Sequence, residues 1–193
     1  MPFAVARAPA LYAGSLRTAL HRLKFDGRRA LGPPLGEFLA DFVRTTAALG
    51  RPEIVVPVPL HPSRERGRGF NHAALLAAPV AEALGMPLDA ALLERVVDTA
   101  PQQTLTEPQR WGNVRGAFRI RVSATGVVRG RVVLLVDDVM TSGATAAECA
   151  RTLLAAGATE VRVATVARAV LARDGSGAGG GAGSRATDRE EHP

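Results

Sequence analysis

Five aliphatic residues in a row, Val132-Val133-Leu134-Leu135-Val136, carry no polar alternation and predict a strand covered on both faces. That is the signature of a parallel sheet inside an α/β domain. Other segments fit around it. A helix is predicted from about Ser15, with Leu16, Leu20 and Leu23 lining one face and Arg17, Arg22 and Lys24 off that stripe as a solvated basic surface, and Gly27 ends it. A second follows from about Leu35 with a stripe of Phe38, Leu39, Phe42 and Val43. Glu53 to Pro59 reads as a short strand, cut by Pro57 and Pro59 because proline cannot donate to a ladder. A helix from about His72 to Leu84, strands at Leu92–Val97 and Phe118–Val122, a helix from Ala144 to Ala156 closed by Gly157, and a strand at Val161–Ala167 complete the pattern. The first ten residues read as irregular.

With 193 residues, 47% of them hydrophobic, the chain suffices for one sizeable core. The expected organisation is an N-terminal helical segment over residues 1–50 packed on the core, an α/β core over 51–172, and a tail over 173–193 whose glycine, serine and charge cannot order it. Gly175-Ser176-Gly177-Ala178-Gly179-Gly180 satisfies Gly-x-Gly-x-x-Gly, but no helix opens after it, so it reads as low complexity. The net charge of +6 favours phosphate-bearing ligands or nucleic acid, although compositional bias accounts for most of the arginine, and Lys24 is the single lysine. Cys149 is alone, which excludes an internal disulfide and a cysteine zinc site and fits a small buried hydrophobe. Nothing resembles a membrane span or a secretory leader, and the expected location is cytoplasmic.

The chemistry concentrates after the aliphatic run. Asp137 and Asp138 fall where the strand is expected to end, and ligands of open α/β sheets bind at the carboxyl ends of strands. Thr141, Ser142, Gly143, Ala144 and Thr145 then lead into a helix. Unpaired N–H groups at such a start, with the helix dipole and three hydroxyls, make a phosphate cradle. Carboxylates just before it suit the vicinal hydroxyls of a ribose, so ribose 5-phosphate fits the whole. Two crowded carboxylates also repel each other, so neutralising both is expected to leave ligand-free stability unchanged or slightly higher.

A Walker B strand also ends in acids, but no Gly-x-x-x-x-Gly-Lys-Ser/Thr occurs, and too little chain follows for a receiver domain. From His61 to Asn71 an arginine- and glycine-rich loop is predicted after the strand. Leu60, His61, Arg64, Arg66 and Arg68 would line a pyrophosphate clamp there. The polar connection bearing Gln102, Gln103, Arg110 and Asn113 lacks periodicity and reads as a lid or binding loop, with Trp111 its packing anchor.

The fourteen-residue string from Val132 to Thr145 resembles the phosphoribosyl pyrophosphate signature of type I phosphoribosyltransferases. Four more groups of residues resemble the ComF family of phosphoribosyltransferase-like proteins, linked to natural competence, over about Tyr12 to Arg168. They are Tyr12-x-Gly14-x-Leu16-Arg17 with Lys24-Phe25-x-Gly27; Val56-Pro57-Val58-Pro59-Leu60; Arg68-Gly69-Phe70-Asn71; and Gln102, Leu105, Arg110 and Asn113 before Ala117-Phe118. Many members begin with a four-cysteine zinc ribbon, and nothing of that kind precedes Tyr12.

The resemblance implies a mostly parallel sheet flanked by helices and phosphoribosyl pyrophosphate as substrate, with Mg²⁺ held through substrate oxygens and waters instead of a protein cage. It assigns Asp137 and Asp138 to the ribose hydroxyls and to the developing ring cation, and Arg110 to closing over the pyrophosphate. The acceptor is not implied. Two other classes stand beside the enzyme: a non-catalytic module that binds phosphoribosyl pyrophosphate, and a basic DNA-uptake accessory whose partner is single-stranded DNA or a protein of the competence machinery.

Overall fold

The structure, a computed structural model, describes residues 1–99, 106–124 and 126–170. The predicted tail and Gln102, Gln103 and Leu105 lie outside them. At the centre is β6 (Val132–Met140), paired in parallel with β3 (Ile54–Pro57) on one side and β7 (Glu160–Arg168) on the other. The far edge of β7 carries β1 (Val5–Arg7) and β2 (Ala10–Leu11), also parallel, so the main sheet has five strands in a mostly linear order β1-β7-β6-β3. The first ten residues are therefore not irregular. Strands of two and three residues are too short to show an alternation, and only their pairing with β7 reveals them.

Alternate residues of the central strands enter two cores. Val133 and Leu135 of β6, Val161 and Val163 of β7, and Ile54 and Val56 of β3 pack under α6 (Ala144–Ala155), with Ala146, Cys149, Ala150 and Leu153. Leu134 and Val136, Ala164 and Val166, and Val55 face the other way, toward α1 (Gly14–Phe25), α2 (Gly32–Thr45) and α4 (His72–Leu84). An unbroken aliphatic run is what such double coverage requires. Pro57 is tolerated because β3 lies at the end of this sheet, where a missing donor breaks nothing.

The second helix starts three residues before the expected Leu35. Pro33 and Pro34 lie in its first turn, where missing N–H groups are harmless. Its buried face is Gly32, Gly36, Leu39, Ala40 and Val43, and Phe38 is 44% exposed. A Cβ on Gly36 would fall 2.8 Å from Pro79 Cγ, and one on Gly32 would fall 2.8 Å from Leu75 Cβ, so the glycines let α2 approach α4 closely.

The arginine-rich stretch after β3 is a helix, α3 (Pro62–Arg68), and not a loop. His61 caps it by accepting the Ser63 N–H, Pro62 occupies the first turn, and Gly69 closes it at φ +76°. Seven residues are too few for a periodic stripe, whereas these start and stop residues mark both ends. The polar connection likewise contains a helix, α5 (Glu107–Val114), opened by a capping box in which the Thr106 N–H donates to Gln109 Oε1 at 2.9 Å. Around it β4 (Leu93–Arg95) and β5 (Phe118–Ile120) form an antiparallel pair, a small hood separate from the main sheet. Trp111 packs partly buried against the core beneath α6. No helix among the described residues is long and apolar enough to cross a membrane.

Candidate functional site

The acid pair does not terminate its strand. Asp137 pairs with Thr165, and β6 runs on to Met140 opposite Arg168 because β7 is equally long. On the other side β3 stops, with Pro57 opposite Val136. The loss of that neighbour, one residue before the acids, opens a cavity of about 610 Å³ along β6, a size suited to a small ligand.

Asp137 Oδ1 accepts the N–H of Asp138 at 2.9 Å, and Asp138 Oδ1 accepts the N–H of Val139 at 2.6 Å. The other oxygen of Asp138, a residue only 3% exposed, is 2.5 Å from Lys24 Nζ and 3.2 Å from His72 Nε2. Oδ2 therefore sits buried between an ammonium and an imidazole, held by charge more than by aligned hydrogen bonds. Arg68 Nη1 lies 3.4 Å from His72 Nδ1. Since guanidinium only donates, Nδ1 accepts and the imidazole proton is assigned to Nε2. Burial, with Lys24 and Arg68 adding to it, pulls the His72 pKa down to about 3, so the ring meets Asp138 as a neutral group.

Burial pushes Asp137 up to about 6, against the pull of Lys24 and Arg95. Burial also lowers Lys24, with Asp137 opposing and Arg68 assisting. Lys24 was expected on a solvated face. It follows Leu20 by one helical turn and so shares the buried side of α1, where Asp138 compensates its charge.

Ligand atoms of His72, Asp137 and Asp138 lie within 4.8 Å of one another. A cage for Mg²⁺ would need mostly oxygens. Here one donor is nitrogen and Asp138 is engaged by an ammonium, while no hydrogen bond among the described residues engages Asp137 Oδ2. An ion here would be held by the chain at Asp137, with its remaining oxygens supplied by ligand and water.

Beyond Met140 the chain turns through Thr141 and Ser142 into Gly143, the N-cap of α6 at φ +79°. Ala144 N–H points to Ser142 Oγ at 3.4 Å, and Thr141, Gly143, Ala144 and Thr145 line the cavity. Ser142 is buried behind them. Arg64 and Arg68 of α3, Leu60 and Arg110 of α5 line it too. Arg64 is held by Asp98, with Nε 3.1 Å from Oδ1, and by the carbonyl of Thr99, whereas Arg68 stacks over Phe25 at 5.1 Å. His61 faces a second cavity of about 550 Å³, and Arg66 is exposed and lines neither. The structure thus gathers Asp137, Asp138, Leu60, Arg64, Arg68, Arg110 and most of the 141–145 loop, and leaves His61 and Arg66 outside.

The basic lining residues that escaped assignment as site residues from the sequence are Lys24, His72 and Arg95. The Lys24 signal was its turn spacing from Leu20. His72 directly follows Asn71, whose side chain accepts the Ala73 N–H at 3.0 Å and donates to the Val58 carbonyl at 3.1 Å, tying the start of α4 to the end of β3. Arg95 shares a strand face with the buried Leu93.

Residues 71–177 match the family model for the phosphoribosyl transferase domain. The chain is 37% identical over 155 residues to the DNA utilization protein YhgH of Salmonella typhi, covering 79% of this chain and 66% of that one. It is 34% identical over 161 residues to competence protein F of Haemophilus influenzae, covering 82% and 70%. Among solved structures it resembles a glutamine phosphoribosylpyrophosphate amidotransferase from B. subtilis at 23% identity and a TM-score of 0.46, over 69% of this chain and 26% of that one. The chain spans 66% of the length of the YhgH relatives it matches.

Proposed function

The chain belongs to the ComF family, phosphoribosyltransferase-like proteins of competence and DNA utilization, and from that premise we propose that its cavity binds phosphoribosyl pyrophosphate with Mg²⁺. One observation carries the reading. The buried Asp138 carboxylate, set by Lys24 and His72, stands at the wall of the same cavity that holds the Gly143 helix start. A ribose hydroxyl donates to the carboxylates there, and a 5′-phosphate accepts the N–H groups of the loop.

In this reading Thr141 to Thr145 hold the 5′-phosphate, and Asp137 and Asp138 hold the ring hydroxyls. Lys24 and His72 fix the Asp138 carboxylate, so its orientation is set before the ligand arrives. Arg64, Arg68 and Arg110 face the pyrophosphate with donors suited to paired contacts. Bound Mg²⁺ would neutralise part of the pyrophosphate charge from the side of Asp137.

Transfer breaks the bond from ring C1 to the pyrophosphate oxygen, which leaves with the electron pair, and an acceptor atom bonds to C1 in its place. The carboxylates favour the positive charge that develops on the ring, and the arginines favour the departing anion. A cytoplasmic setting, with single-stranded DNA or a competence-machinery protein as partner, is part of the same proposal.

The test is thermal stabilisation of the protein by phosphoribosyl pyrophosphate with and without Mg²⁺, followed by pyrophosphate release against a panel of bases. Stabilisation with turnover establishes the enzyme, and stabilisation without turnover establishes a binding module. No stabilisation, with DNA affinity that falls steeply between two salt concentrations, replaces both with the DNA accessory.

A further inference from the structure

The two cavities meet at a wall made by Pro59, Leu60 and Arg95. Arg95 comes from β4 of the hood and not from the main sheet, and is only 7% exposed. One guanidinium nitrogen donates to Thr99 Oγ1, and the group lies over the Phe118 ring at 5.4 Å. Its Nε has no hydrogen-bond partner. Neighbouring cations have carboxylate partners: Arg64 pairs with Asp98, and Arg119 and Arg121 share Glu94. Among the described residues no carboxylate comes within ion-pair distance of Arg95.

A buried guanidinium carries a desolvation cost, and no carboxylate ion-paired with Arg95 offsets it among the described residues. Burial accordingly lowers its pKa, with Arg64 pulling the same way and Asp137 and Asp98 only partly opposing. An arriving anion that accepts from Nε would satisfy both the unused donor and the charge.

We propose that Arg95 recognises a carboxylate or phosphate on the second ligand, so that the acceptor meeting the ribose is an acid. This rests on the phosphoribosyl reading of the larger cavity. The acceptor side is favoured over the pyrophosphate side by position. Arg95 hangs from the hood and faces the second cavity as well as the first, while Arg64 and Arg68 already serve the first from α3. Leu60, Leu93 and Val96 line the second cavity beside it, so an apolar ring bearing the acid suits the space.

The full chain, saturated with ribose 5-phosphate, is titrated calorimetrically with benzoate, with its neutral isostere benzamide and, separately, with pyrophosphate. The proteins are the parent, Arg95→Lys and Arg95→Met. On the parent, benzoate is expected to bind about tenfold tighter than benzamide, the worth of one charge-assisted hydrogen bond. Arg95→Met should lose that preference and Arg95→Lys keep part of it, while both variants still bind ribose 5-phosphate. Ribose 5-phosphate also reports folding of each variant, and the comparison of acid with amide on the parent needs no variant.

Equal binding of acid and amide by the parent overturns the proposal, as does a preference that survives in a folded Arg95→Met. Loss of pyrophosphate affinity with benzoate unaffected assigns the anion to the leaving group and overturns it too. Repeating the series without ribose 5-phosphate separates the two readings. An acid preference that depends on Arg95 when ribose 5-phosphate does not bind sustains the anion site and removes the phosphoribosyl reading alone.

Discussion

Lys24 Nζ lies 2.5 Å from Asp138 Oδ2, joining the last turn of the first helix to the central strand of the sheet at the wall of the cavity. This contact makes α1 part of the site.

Removing one partner of a buried pair strands the other charge. Lys24→Met is expected to destabilise the ligand-free protein by about 3 kcal/mol, and Asp138→Asn by a comparable amount, whereas the double variant should recover most of the loss. Urea unfolding of the four proteins gives the coupling. Additive losses would show that the pair contributes nothing. The expectation that neutralising both acids leaves stability unchanged or slightly higher took no account of this ammonium, which only the fold reveals.

Asp137 and His72 should oppose each other in pH dependence. Asp137 titrates near 6 when folded and near 3.8 when unfolded, so between these values the folded state holds the extra proton and acidification stabilises. His72 titrates near 6.5 unfolded and near 3 folded, so the unfolded state takes its proton first and acidification destabilises. Each slope is about 1.4 kcal/mol per pH unit, and the two nearly cancel in the shared window. Relative to the parent, in EDTA, Asp137→Asn should lose stability as pH falls from about 6 to about 4, and His72→Gln should gain it. Curves parallel to the parent for both variants would mean that neither group is perturbed by burial.

How much was readable depended on length and on what compensates charge. The run Val132 to Val136, the α4 helix and the loop from Thr141 to Thr145 are legible because each is long or carries its own end signals. β1 and β2 are not, because two or three residues display no period, and α3 hides for the same reason despite Pro62 and Gly69. Lys24 and Arg95 illustrate a second limit. A cation reads as a surface residue unless its burial is known, and burial of Lys24 depends on an aspartate more than a hundred residues away.

Gly143 tests the phosphate loop. At φ +79° a β-branched side chain is strained by roughly 1–2 kcal/mol, while its Cβ would meet only ordinary contacts, Met1 Cε at 3.5 Å and Met140 Sδ at 3.9 Å. Gly143→Val should therefore fold with a lowered melting temperature but rotate the loop N–H groups out of place. A loss of more than about tenfold in ribose 5-phosphate affinity by calorimetry is expected, as for a removed charge-assisted contact. Unchanged affinity in the folded variant would remove the cradle from the site.

Asp137 separates a ligand role from a structural one more cleanly than Asp138 does, because it has no ion-pair partner among the described residues and its charged form is already disfavoured by burial. Asp137→Asn keeps the shape and the acceptor for the Asp138 N–H. At neutral pH the variant should be as stable as the parent or up to about 2 kcal/mol more stable, since it no longer holds a charge against desolvation. If Asp137 meets the ribose hydroxyls and the metal, the same variant should lose most of the thermal stabilisation that phosphoribosyl pyrophosphate with Mg²⁺ confers on the parent, because binding to the folded state raises stability only in proportion to affinity. Melting curves at several ligand concentrations, with and without Mg²⁺, read both effects in one experiment. A variant that stabilises at neutral pH yet retains the full ligand shift would leave Asp137 a buried acid of the sheet and take the ribose contact away from it.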